Sequence, residues 1–348
     1  MKLAANRSSL SRFLSATRKP SVVRTRAGAH RCVMNQAELS GKTYFVTGSS
    51  DGIGQHTALR LADAGADVIV HGRNAEKVAA ACKALSGKGG KISSYTCDLG
   101  SFNQIRKLTE DIKADFSSIN VLVNNAGVFE QRKKLSEEGF EMTWAINVLA
   151  PFLLTSLLKD IITERIVNVS SISASSTIDF DNLQQEKGFS SHDSYSLSKL
   201  ASMMFTFELA EIMKPKGVTV NCLDPGTVNT KMLIADICAA LAKPPRSVAA
   251  QLHEARYVLS HTWLSHSKVA VVLSASLSSC MRAGWGACGI DIKDANNEYK
   301  LATDPELAQE TGKYFVGGRR CRAPRAAHDL NTRRRLWQIM TEQTGAAY

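Results

Sequence analysis

A tyrosine and a lysine four residues apart, Tyr195 and Lys199, lie in the run SYSLSKLASMMFTFELAEIM, whose apolar spacing is helical. That separation puts both side chains on one helix face. A phenol titrates near about 10 in water, and a neighbouring ammonium draws it toward neutral pH, where it can give or take a proton. Ser171, at the end of the run RIVNVS, could hydrogen-bond a reacting oxygen, but Ser170 and Ser173 stand beside it and could do the same. A second constellation lies upstream, TGSSDGIG (47–54), after the apolar TYFV and before QHTALRLADAG. Gly48 would permit a tight turn, Gly52 the approach of a diphosphate, and Gly54 close packing of helix on strand. Three such glycines alone are a weak signal; their place between strand and helix makes them a phosphate-binding turn.

The elements that must hold these residues alternate along the chain. Short β-branched runs at 43–47, 67–71, 91–96, 121–124, 165–170, 218–223 and 313–316 read as strands. Amphipathic segments separate them, including EEGFEMTWAINVLAPFLLTSLLKD at 137–160, which reads as one helix. Nearly continuous apolar strands alternating with helices predict an α/β fold: a Rossmann-type, doubly wound parallel sheet of about seven strands in a single domain. The glycine turn then falls on the first strand-to-helix connection, where such a sheet presents backbone N–H groups to a pyrophosphate.

Composition narrows the function classes. With 44% apolar and 22% charged residues in 348, the chain reads as soluble and globular. No apolar run approaches the roughly 20 residues of a membrane span. Of the net charge of +11, eight charges fall in residues 1–34, which hold no acid. That segment reads as an organellar transit peptide, for a chloroplast before a mitochondrion, with a basic tail as the alternative. The small remaining charge gives no case for a nucleic-acid partner. Seven arginines between Arg319 and Arg335 leave a peripheral membrane contact open. The eight cysteines form no C-x-x-C pair, so neither a disulfide framework nor a metal site is expected.

Taken together, TGSSDGIG, NNAG (124–127), RIVNVSS (165–171), YSLSK (195–199) and DPGTVNT (224–230) resemble the short-chain dehydrogenase/reductase family in order and spacing. The resemblance implies an oxidoreductase with Tyr195 as general acid/base and Lys199 lowering its pKa. It places the substrate-oxygen contact on the second serine, Ser171, and gives Asn147 a relay water linking Lys199 to solvent. For the cofactor it implies contacts from Gly48, Ser50, Gly52, Ile53 and Gly54, from Asp98 and Leu99 at the adenine, and from Asn125, Ala126 and Gly127 at the ribose. Tyr195 and Lys199 belong to the same set, and Pro225, Gly226 and Thr230 would meet the nicotinamide amide. The second strand ends VIVHGRN, without the carboxylate that would bind a ribose 2′-hydroxyl, and Arg73 suits a 2′-phosphate. NADP(H) is therefore expected, although Asp51 argues slightly for NAD, and Arg73 could instead pair with Glu76.

The long insert between Ser171 and Tyr195, with its FDNL and EKGFS, is similar to the branch holding retinol dehydrogenases, chloroplast-envelope relatives and polyprenol-type enzymes. That likeness implies lipophilic alcohols, aldehydes or ketones as substrates. The alternative is an NADP(H)-binding redox-sensing or regulatory subunit at an organelle envelope. The family domain is expected to span 35–235 and 283–348. Residues 236–282 carry two acids against five bases and keep no helical or strand period. They read as a poorly ordered insertion, either a lid or membrane flap or an extra segment from gene evolution or a gene-model error. Oligomeric state is left open.

Overall fold

The computed structural model describes residues 39–228 and 290–348. The basic leader at 1–34, Thr230 and the 236–282 insertion lie outside the described residues.

Strand formation follows the apolar runs. β1 (Thr43–Val46), β2 (Asp67–Gly72), β3 (Ile92–Thr96), β4 (Ile119–Asn124), β5 (Ile162–Val169), β6 (Thr219–Asp224) and β7 (Tyr314–Val316) pair in parallel. The order is β3-β2-β1-β4-β5-β6-β7-β8, so the winding reverses between β1 and β4 and opens a crevice at their carboxyl ends. β8 (Arg319–Cys321) was not expected. It returns antiparallel to β7 through Gly317 and Gly318, with φ of 56° and 73°. Two successive residues at positive φ make the hairpin turn that matches strand twist, and glycine adopts it without steric cost. The double glycine carried that signal, but the following arginines read only as a charged patch.

Helices start where polar side chains cap them. Asp51 accepts from Gly52 N ahead of α1 (Gly52–Asp63), and Asn74 from Lys77 N ahead of α2 (Ala75–Leu85). α3 is Phe102–Asp115. The segment 137–160 is not one helix. Gly139 sits at φ 85°, and Glu141 caps a later start by accepting from Thr143 N and Trp144 N, both at 3.0 Å. A short α4 (Met142–Trp144) runs into a π turn at Ala145–Leu149 and then α5 (Ala150–Leu158). α6 (Ser191–Met213) carries Tyr195 and Lys199; α7 is Asn297–Thr303, α8 Arg325–His328 and α9 Leu330–Thr344.

α1 packs with α2 and α7, while α3 packs on α5 and α6 on α9, giving the two helical layers of a doubly wound sheet. The C-terminal end belongs to the second layer. Phe152 meets Phe205, Trp337 and Tyr348 at centroid distances of 5.6, 4.9 and 4.9 Å, and Tyr348 Oη donates to Phe152 O at 2.6 Å. Phe152 and Phe205 are fully buried and contribute about 1.5–3 kcal/mol each, with Trp337 and Tyr348 partly buried against them. This packing anchors the middle of α6, and with it the register of the helix that presents Tyr195 and Lys199.

Candidate active site

The crevice at the carboxyl ends of the strands is a cavity of about 440 Å³. One wall is the glycine turn, where Gly48 and Gly52 have φ of 65° and 62°. A Cβ on Gly54 would fall 2.3 Å from Asn125 Nδ2 and 2.6 Å from Gly48 O, so only glycine lets α1 sit this close to the strand ends. A Cβ on Gly52 would meet nothing within 4 Å, which leaves its backbone open to a ligand.

The turn is stitched to the end of β4. Thr47 Oγ1 accepts from Asn125 N and Ala126 N, each at 3.0 Å, and Asn125 Nδ2 donates to Thr47 O at 2.6 Å. On the other side Gly48 N donates to His71 Nδ1 at 3.1 Å. Burial pushes the His71 imidazole down to about 4, so it stays neutral and able to accept. The glycine turn is thus held by side chains on β2 and after β4.

The opposite wall is α6. Lys199 is 5% exposed, and its Nζ donates to Val169 O at 2.9 Å and lies 5.3 Å from the centre of the Tyr195 ring. Burial, opposed by the carboxylates of Asp224 and Glu298, brings the Lys199 ammonium down to about 8. The half-buried Tyr195 ring meets Phe129 edge-on at 5.3 Å. A phenol beside an ammonium at the mouth of a crevice is the arrangement that general acid/base transfer to a carbonyl or from an alcohol requires.

The neighbouring serines separate. Ser170 is 1% exposed and spends its hydroxyl on Lys199 O at 2.8 Å, although its backbone lines the cavity. Ser171 is half-buried and its Oγ accepts from Ser173 N at 3.1 Å. Asn147 lies in the π turn, a helix distortion often found at functional sites. Its amide clamps Val128, accepting from Val128 N at 2.8 Å and donating to Val128 O at 3.0 Å, and also donates to Ser198 Oγ at 3.0 Å. The side chain therefore works as a backbone clamp. A Cβ on Gly127 would lie 3.4 Å from Asn147 Oδ1 and 3.7 Å from Lys199 Nζ, so these three residues meet.

Of the residues named from sequence, Gly48, Ser50, Gly52, Ile53, Gly54, Arg73, Leu99 and Asn125 line the cavity, together with Ala126, Gly127, Tyr195, Lys199 and Pro225. Ser171, Asn147, Asp98 and Gly226 do not. Asp98 turns its carboxylate back to Gly100 N at 2.9 Å. Arg73 is exposed on the rim and pairs with no described carboxylate, Glu76 included, while Asp51 pairs with Lys77 at 3.2 Å. His71, Val128, Ile146 and Val169 also line the crevice and were not named from sequence. The rule that ligands sit at strand carboxyl ends would have found His71 and Val169. The cavity, its glycine cradle and α1 opening on it fit a dinucleotide.

The sequence matches the family described as short chain dehydrogenase over residues 42–237. It is 33% identical to human retinol dehydrogenase 13 over 87% of this chain and 84% of that protein. It is 37% identical to human polyprenol dehydrogenase over 53% of this chain and 60% of that one. Among solved structures, a blue fluorescent protein from a metagenomic library in complex with NADPH superposes with a TM-score of 0.55 at 25% identity, covering 80% of this chain and 97% of that chain.

Proposed function

Because the chain belongs to the short-chain dehydrogenase family, and within it to the retinol-dehydrogenase-like branch, it is an oxidoreductase with a nicotinamide cofactor, and we propose that it uses NADP(H) to interconvert a lipophilic alcohol and its aldehyde or ketone. The observation that carries this reading is the Tyr195–Lys199 pair facing the glycine turn across one crevice. A nicotinamide cofactor held along the glycine turn would supply or accept the hydride. Tyr195 Oη gives the proton to the substrate oxygen during reduction and takes it during oxidation. Lys199, fixed by Val169 O, holds positive charge beside the ring and stabilises the phenolate form. Ser171 hydrogen-bonds the substrate oxygen, and its half-exposed hydroxyl suits that role better than the buried Ser170. Asn147 keeps Val128 and the π turn in place, and the water it is proposed to hold would meet the backbone of that turn.

Two observations support the finer choices. Arg73 on the crevice rim, without a described carboxylate partner, suits a 2′-phosphate, and the NADPH complex of a structural relative is consistent with it. Ile172 and Ile290, 44% and 42% exposed, stand beside Ser171 and Gly226 and offer an apolar rim to a lipophilic substrate. The experiment is turnover of retinal-, steroid- and polyprenal-like carbonyls with NADPH and NADH in parallel. Reduction of at least one lipophilic carbonyl, faster with NADPH, is expected. Tight NADPH binding with no turnover of any carbonyl would favour the sensing-subunit reading instead. Residues 1–34 carry the proposal of an organellar, preferably chloroplast, location, which a fluorescent fusion of that segment tests.

A further inference from the structure

At the far edge of the sheet lies a second cavity, of about 570 Å³, bounded by β7, β8 and α8. Lys313, Arg320, Arg322 and His328 line it, and no carboxylate among the described residues does. Two acids next to lining residues are engaged elsewhere: Glu208 lies 3.3 Å from Arg333 Nε, and Asp329 caps α9 by accepting from Thr332 N at 2.7 Å. His328 stacks on Phe207 at 5.3 Å with the rings 13° apart, which fixes its imidazole in the wall. Burial, and then the charges of Arg322, Arg333 and Lys313, push that imidazole below its ordinary value. Tyr314 also lines the cavity. It is 5% exposed, and its hydroxyl meets no hydrogen-bond partner among the described residues.

We propose that this cavity binds a phosphate monoester. Its walls offer donors from beside two strands and a helix: two guanidiniums, an ammonium and an imidazole. A carboxylate has two oxygens and one charge, whereas a phosphomonoester dianion has three terminal oxygens and matches arginine forks in both charge and shape. The site is separate from the crevice. Lys313 precedes β7, at the amino ends of the parallel strands, while Tyr195 and the glycine turn stand at the carboxyl ends. Along α6, Lys199 and Phe207 are separated by about 12 Å of helix. The phosphate could be carried by a soluble metabolite or by a phosphatidic-acid headgroup, the second of which would hold the protein at a membrane surface.

Cys321, an exposed free thiol in the wall, reports occupancy. The full chain is treated with iodoacetamide and alkylation of the Cys321 peptide is followed by mass spectrometry. Inorganic phosphate is expected to slow that alkylation several-fold and saturably, while potassium chloride at equal ionic strength does not. The Lys313→Gln/Arg322→Gln double variant should lose the protection yet bind NADPH as the parent does, which shows that it is folded. Phosphatidylcholine vesicles with and without phosphatidic acid form the second arm. Protection by inorganic phosphate assigns a soluble ligand, and protection by phosphatidic-acid vesicles alone assigns the lipid. No protection in either arm, equal protection by chloride, or protection that survives in the double variant would overturn the proposal.

Discussion

Tyr195 packs its ring against Phe129 and stands 5.3 Å from Lys199 Nζ, so a phenylalanine would keep the packing and lose only the proton. Tyr195→Phe is expected to lower kcat by about 100-fold or more, the usual worth of a positioned acid/base, while NADPH affinity stays within a few-fold. Steady-state kinetics with fluorescence titration of the cofactor check both halves, and near-normal kcat would refute the mechanism. Arg73 makes a complementary case, since its side chain is exposed on the crevice rim and pairs with no described carboxylate. Arg73→Ala should weaken NADPH binding by about 1.5–3 kcal/mol and NADH binding far less. Equal losses for both would mean that Arg73 does not hold the 2′-phosphate. Both residues were legible in the sequence because each belongs to a short motif whose local geometry is set by its own helix or strand end. The split between Ser170 and Ser171 was open on the residues themselves, because it depends on the Lys199 carbonyl reaching back from α6, and was chosen by the family resemblance.

α7 brings a carboxylate inside the molecule. Glu298 is fully buried, one oxygen accepts from Thr57 Oγ1 at 3.1 Å, and the other has no partner among the described residues. Burial raises its carboxyl to about 7, against the pull of Thr57 and Lys199. A raised folded pKa means that the native state holds this proton more tightly than the unfolded chain. The stability it contributes is therefore full below about 4.5 and is lost as pH rises through about 7. Glu298→Gln does not titrate, so its stability relative to the parent should rise between pH 5 and pH 8, on the order of 2 kcal/mol. Unfolding midpoints of both proteins at the two pH values test this, and a difference that does not grow would show that Glu298 is already ionised at pH 5. Elements as such were well read from sequence where apolar periodicity is strong, as in β1, β2 and α6. They were misread where a single residue sets the boundary: Glu141 delays the start of a helix, and Gly317–Gly318 starts β8.

On the scale of the whole molecule, Val228 and Ile290 form a parallel bridge, and Ile290 N donates to Thr227 O at 2.8 Å. The two ends that flank residues 229–289 therefore lie side by side, whatever lies between. Joining Ala235 to Ala283 by deleting 236–282 should leave the fold and NADPH binding intact, as judged by cooperative unfolding and cofactor titration. An unfolded product would show that those residues belong to the domain. The fold class, the first seven strands and the motifs that hold Tyr195, Lys199 and the glycine turn were legible in the sequence alone, because apolar periodicity and short-range backbone geometry are local properties. The neutral His71 under the glycine turn, the π turn that makes Asn147 a clamp, and the buried Glu298 were decided only by tertiary structure. So was the gathering of Lys313, Arg320, Arg322 and His328 around one cavity. Each of these depends on which distant backbone group or charge comes within a few ångströms, and on how much water packing removes, and neither is encoded in the spacing of neighbours along the chain.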